Sequence, residues 1–142
     1  MHDTAFLRSD ELPGRAALGY VDDGPRTNVF HLPVRGSGDG GVYTTAADVS
    51  SFWSALFAGG IVPAARVAEM VRPRSVVPEQ SRRYGLGFWL HESSDAVMLV
   101  GGDTGVSFRS VHDPGEQVTH TVISNTLRGA WPLTRLLEEK LA

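Results

Sequence analysis

Apolar residues recur at helical spacing in three stretches of this chain and at strand spacing in four. Val49, Phe52, Trp53 and Leu56 follow i, i+3, i+4, i+7, which puts them on one face of a helix. Thr45 is a suitable N-cap, and Asp48, three residues on, suits the positive helix start. Gly59-Gly60 ends the pattern, because glycine accepts the left-handed backbone of a C-cap. Pro63 then opens a second, shorter helix with Val67, Met70 and Val71 as its stripe, and Pro73 lies just beyond it. From Trp131 a third helix is predicted, with Leu133, Leu136, Leu137 and Leu141 aligned to cover a sheet.

Between the second and third helices the period changes. Residues 74–83 read as a polar loop. Residues 84–91, 96–101, 106–112 and 118–124 then read as four strands. Their connections are short and polar, which favours antiparallel neighbours, since a parallel crossover needs a dozen or more residues. Residues 1–43 are rich in Gly, Pro and Asp. They offer one short strand candidate at 15–21 and a turn at Asp22-Asp23-Gly24-Pro25. The expected fold is α+β: loops and two short helices, then an antiparallel meander with a C-terminal helix packed on it. Residues 1–80 form the loop and helical part, and 81–142 the sheet and last helix.

Composition narrows the function classes. The 142 residues carry a net charge of −3 with no basic run, which argues against nucleic acid and anionic membrane as partners. There is no cysteine, so thiolate chemistry, disulfides and Cys-based zinc sites are excluded. No apolar run approaches the ~20 residues that span a bilayer, and the first residues lack a signal-peptide pattern, so the default address is cytoplasmic.

Five short segments resemble, in order, the C-terminal part of the serine β-lactamase-like hydrolases, the family of class C β-lactamases, penicillin-binding proteins, D-aminopeptidases and related esterases. They are Arg15-Ala16-Ala17-Leu18-Gly19-Tyr20, the run from Asp39 to Asp48 (DGGVYTTAAD), Glu69-Met70-Val71-Arg72-Pro73, Tyr84-Gly85-Leu86-Gly87-Phe88-Trp89, and Gly105-Val106-Ser107-Phe108-Arg109-Ser110. Together they span nearly the whole chain. The resemblance implies an acyl-serine mechanism. A serine hydroxyl is a weak nucleophile, so a base must take its proton, and backbone donors must hold the developing oxyanion.

The family supplies these groups with Ser-x-x-Lys, Tyr-x-Asn and a third Lys-Thr-Gly or His-x-Gly element on the cleft strand. Neither of the first two occurs here. The only lysine, Lys140, follows Leu137 by three, and Tyr20, Tyr43 and Tyr84 are followed at the second place by Asp22, Thr45 and Leu86. In family order both motifs precede Met1, so no catalytic residue is assigned to this chain. The third motif falls at Gly101-Gly102-Asp103-Thr104-Gly105, with Gly102 in the Lys or His place; a shift of one residue offers only Gly101 or Asp103. Gly102, Asp103, Thr104 and Gly105 are the expected substrate-binding positions. Asp103 lies in the turn that the family places at the cleft wall.

The resemblance thus implies a fragment: a truncated frame, a misplaced start, a decayed gene or half of a split enzyme, with a missing N-terminal half as partner. The whole enzyme would cleave an ester, amide or lactam, and this chain alone would be inactive. The alternative is a degenerate module that binds a ligand or partner chain without catalysis. No cofactor or metal is expected.

Other constellations read as structural. Gly36–Gly41 matches G-x-G-x-x-G, but Val42-Tyr43 intervene before the helix cap and no acidic residue ends a second strand, so it is a loop running into a strand. His112 and His120 flank one turn and read as strand-end histidines rather than a metal pair. Ser107 is not a nucleophile elbow, because Arg109 replaces the final Gly. Arg109 reads as a structural ion-pair partner, and Phe52, Trp53, Leu56, Phe88 and Trp89 as core.

Overall fold

The computed structural model describes residues 1–141. Three helices, α1 (Ala46–Phe57), α2 (Ala64–Met70) and α3 (Ala130–Leu141), accompany six strands. The strands are β1 (Ser75–Val77), β2 (Arg82–Tyr84), β3 (Trp89–His91), β4 (Val97–Asp103), β5 (Val106–Asp113) and β6 (Val118–Ser124). They form one sheet in the order β1-β2-β3-β4-β5-β6. The strand pairs with assigned register are antiparallel, as in Tyr84 opposite Trp89 and Leu90 opposite Val97. The α+β meander with a C-terminal helix is therefore the observed architecture. Among the described residues no helix is long and apolar enough to cross a membrane.

The chain folds into two compact units. One comprises Val49–Val100 and Ser110–Thr121. The amphipathic face predicted for α1 is its core: Trp53, Leu56 and Val49 are buried, together with Phe88, Leu90, Val97 and Met98. Trp53 touches Phe52 edge-on with centroids 5.3 Å apart, and lies 5.7 Å from Phe88. Its indole N–H donates to the Ser110 hydroxyl at 2.7 Å, so burying Trp53 leaves no polar atom unpaired. The Schellman geometry at the end of α1 is complete. Gly59 has φ +75°, its N–H donates to the Leu56 carbonyl, and Gly60 N–H donates to the Ala55 carbonyl.

Two strand expectations are corrected in this unit. Residues 74–83 are not a loop but hold β1 and β2, joined by a 3-10 turn at Pro78–Gln80. These strands are three residues long, β1 mostly exposed and β2 uniformly half-buried, so they carry no alternating apolar signal. Residues 84–91 are not one strand. Gly85 N–H donates to Phe88 O and Leu86 N–H to Met70 O, which takes both donors out of the ladder. Gly87 adopts φ +83°, and a Cβ at Gly85 would lie 2.2 Å from Met70 O. The glycines that looked like strand residues make a turn pressed on the end of α2.

The other unit comprises Met1–Asp48, Gly101–Arg109 and Val122–Ala142. The strand expected at 15–21 is reduced to single-residue bridges from Tyr20 to Thr27 and to Thr126. Residues 1–43 contain no longer strand, and short backbone links hold them in place, such as Ala5 with Tyr43 and Ser9 N–H with Val34 O. The face that α3 buries also differs from expectation. Ala130 and Thr134 are buried, whereas Leu133 and Leu136 are about half exposed at 53% and 50%. Leu137 is half-buried, and the side chain of Leu141 lies outside the described residues. The small residues Ala130 and Thr134 define the close-packed stripe, and a count of leucines could not reveal it.

Candidate functional site

Thr44-Thr45 and the helix they open anchor the first wall of the site. The Thr45 hydroxyl accepts from Asp48 N–H at 3.1 Å, the N-cap that the sequence announces. The Asp48 carboxylate, itself buried, then gathers the chain's first residues: it accepts from His2 N–H at 3.0 Å, Asp3 N–H at 2.7 Å and the Thr4 hydroxyl at 2.6 Å. The Thr4 hydroxyl foremost, with the two backbone donors, holds this carboxyl below its usual range. Asp3 in turn pairs with Arg15. One helix start thereby orders residues 2–4 and, through Asp3, the segment carrying Arg15 to Tyr20.

The second wall is the turn between β4 and β5. Gly105 has φ +77°, and its position is fixed by contact on several sides. A Cβ at Gly105 would lie 2.9 Å from Asn28 Cβ and 3.0 Å from Tyr20 N. A Cβ at Gly19 would lie 2.4 Å from both Asn28 Nδ2 and Gly105 O. Asn28, 4% exposed, locks these pieces: its Nδ2 donates to Thr104 O at 2.9 Å and its backbone N–H to Gly19 O at 2.9 Å. Gly19, Asn28 and Gly105 pack as one unit because two of the three have no side chain. The sequence reading did not single out Asn28; an Asn in a Gly/Pro-rich loop carries no local signal of its distant partner.

The third wall is the end of β6 and the approach to α3. Tyr20 N–H donates to Asn125 O at 2.9 Å, and Asn125 Nδ2 to Leu18 O at 3.2 Å. Ser107 is fully buried; it donates to Thr126 O at 2.7 Å and accepts from Ala130 N–H at 3.1 Å. Its proton is committed to a carbonyl and its lone pair to the start of α3, so it is a cap and not a nucleophile. Arg109 donates to Glu138 on α3 at 2.9 Å, the ion pair expected of it.

These walls enclose a cleft of about 680 Å³. Gly101, Gly102, Asp103 and Gly105 of the expected substrate-binding stretch line it, with Asn28, Tyr43, Phe108 and Ser124. Thr104 stands at the turn, its carbonyl held by Asn28. Side-chain direction along β4 is decided by its neighbours. A Cβ on Gly102 would meet the Trp131 ring at 3.4 Å, on the α3 side. Gly101 and Asp103 alternate to the opposite face, and a Cβ on Gly101 would lie 3.9 Å from the Phe108 ring. Asp103 is exposed, and its Oδ1 accepts from Thr104 N–H at 2.6 Å.

The remaining motifs fall elsewhere. The Gly36–Gly41 loop is a tight turn closed by Ser37 N–H to Gly40 O at 2.9 Å, and a Cβ on Gly36 would meet Gly40 O at 2.5 Å. The glycines answer a close backbone approach. His112, in the other unit, stacks on Trp53 at 5.6 Å and shares a 2.7 Å hydrogen bond with Thr119. Among the described residues no three His, Cys, Asp or Glu side chains are grouped to hold a metal.

The family model described as Beta-lactamase matches residues 1–141. Among solved structures, the crystal structure of a penicillin binding protein from Bacillus halodurans matches with a TM-score of 0.89 at 31% sequence identity. The match covers 98% of this chain and 45% of that one, so the chain spans less than half the length of that protein. No curated protein matches.

Proposed function

Because the chain belongs to the beta-lactamase family, we propose that it is the C-terminal part of a serine hydrolase acting on ester, amide or lactam bonds, and that it supplies the β4–β5 wall of the substrate cleft. The observation that supports this reading is that Gly101, Gly102, Asp103 and Gly105, from the stretch aligned with the family's third motif, line a cleft of about 680 Å³. In the proposed reaction the serine and its proton acceptor come from polypeptide carrying Ser-x-x-Lys and Tyr-x-Asn, which these 142 residues do not contain. This chain's own residues contribute shape: Asn28 and the two glycines hold the turn, and Phe108 and Tyr43 offer apolar surface to the acyl group. Residues 1–142 form a portion of that single domain, in which β1 (Ser75–Val77) joins residues 81–142 in the sheet part.

The test is turnover of nitrocefin and p-nitrophenyl esters by the 142-residue chain, with a fluorophosphonate probe for reactive serine. The expected result is neither turnover nor labelling. Turnover that the probe abolishes would overturn the reading, because it would locate a nucleophile on this chain.

A second reading is a non-catalytic module that binds a ligand in the same cleft. Gly102 favours it, since the position aligned with the family's Lys or His bears no side chain. In-frame DNA encoding Ser-x-x-Lys and Tyr-x-Asn upstream of Met1 supports the hydrolase; stop codons there support the binding module.

A further inference from the structure

The charge lining the cleft points to the kind of molecule it accepts. Among the described residues, three carboxylates, Asp3, Asp39 and Asp103, face it against one guanidinium, Arg15. Arg15 is already paired with Asp3, so among the described residues this chain's share of the lining offers no unpaired cation to an anionic ligand. Asp39 accepts a hydrogen bond from Ser37, which foremost holds its carboxyl below the usual carboxylate range. Asp103 is exposed, lines the cleft and accepts one backbone donor, Thr104 N–H, on Oδ1. The rest of the lining is mostly apolar, with Leu7, Leu18, Val42, Val106, Phe108 and Ile123 prominent.

An apolar pocket with a net negative rim attracts a ligand that joins a hydrocarbon body to a cation, and repels its carboxylate analogue. We propose that this cleft is selective for substrates bearing a protonated amine beside an apolar or aromatic group, such as aminoacyl esters and amides, with Asp103 as the charge-selecting residue. The proposal rests on the cleft assigned under the proposed function. It concerns binding and not bond cleavage, so each can fail without the other.

Benzylamine and phenylacetate, which share a benzyl group and carry opposite charges, are titrated into the 142-residue chain at low salt and followed by NMR shifts of Gly101, Asp103 and Phe108. Benzylamine is expected to bind about tenfold tighter, a ratio that shrinks as added salt screens the rim. Asp103→Asn is expected to remove most of that preference and Asp103→Lys to reverse it. Asp10→Asn, a charge change on a residue paired with Arg8 outside the cleft, leaves it intact and controls for net charge. Equal or tighter binding of phenylacetate, an unchanged preference in Asp103→Asn, or no binding of either probe overturns the proposal.

Discussion

Gly19 is the residue on which the cleft's geometry most depends. Its missing side chain lets Asn28 and the Gly105 carbonyl come within 2.4 Å of where a Cβ would stand. Gly19→Ala must push the Asn28 amide off Thr104 or open the β4–β5 turn. The expected cost is about 1–3 kcal/mol from overpacking, read as a fall in the denaturant midpoint. Asn28→Ala removes the bond to Thr104 without a clash and is expected to cost about 1–2 kcal/mol. His112 offers a pH test. Its burial holds the imidazole below its usual range, against the opposing pull of Asp113. The folded chain resists the proton that the unfolded chain takes up, so this contribution is whole above about pH 6.5 and shrinks as pH falls below it. Melting temperature is expected to decline between pH 7 and 5, and His112→Gln, which keeps a partner for Thr119, to flatten that decline.

At the scale of elements, α3 begins where Ser107 places it. The Ser107 hydroxyl links Thr126 O to Ala130 N–H directly. Ser107→Ala is expected to cost about 1–2 kcal/mol by leaving both buried groups unpaired, with amide exchange accelerating first in the opening turn of α3. The sequence announced the elements with strong local grammar. Thr45, the Val49 to Leu56 stripe and Gly59-Gly60 define α1 almost to the residue, and β6 falls where its alternation puts it. It concealed β1 and β2, which are short and show no alternation of burial, and the Gly85–Phe88 turn, where Gly85 answers a contact with Met70 fifteen residues earlier. It misjudged α3, because leucines suggested the buried face while Ala130 and Thr134 form it. The candidate site was legible only as the stretch Gly101–Gly105. The Gly19–Asn28–Gly105 packing depends on residues up to 86 apart and leaves no periodic trace.

For the whole molecule, the sheet order ends in β6, a seven-residue outer strand with Val118 and Ile123 about 40% exposed. An outer strand of that length presents unpaired backbone groups to any neighbouring chain. The chain is expected to self-associate with rising concentration, seen as a growing weight-average mass in sedimentation equilibrium. Val118→Lys is expected to reduce that growth, because lysine on an edge opposes strand addition. The other half-exposed apolar residues, Leu133 and Leu136, lie on α3, so a persistent association in Val118→Lys would assign the contact to the helix instead.

The orientation of Gly102 sets a rule for anyone retrofitting chemistry onto this scaffold. A lysine grafted there by alignment would lay its stem over the Trp131 indole and spend its ammonium on that ring. The same graft one residue earlier or later would deliver the charge to the opening. Along this strand the pleat decides which side of the sheet receives the tool.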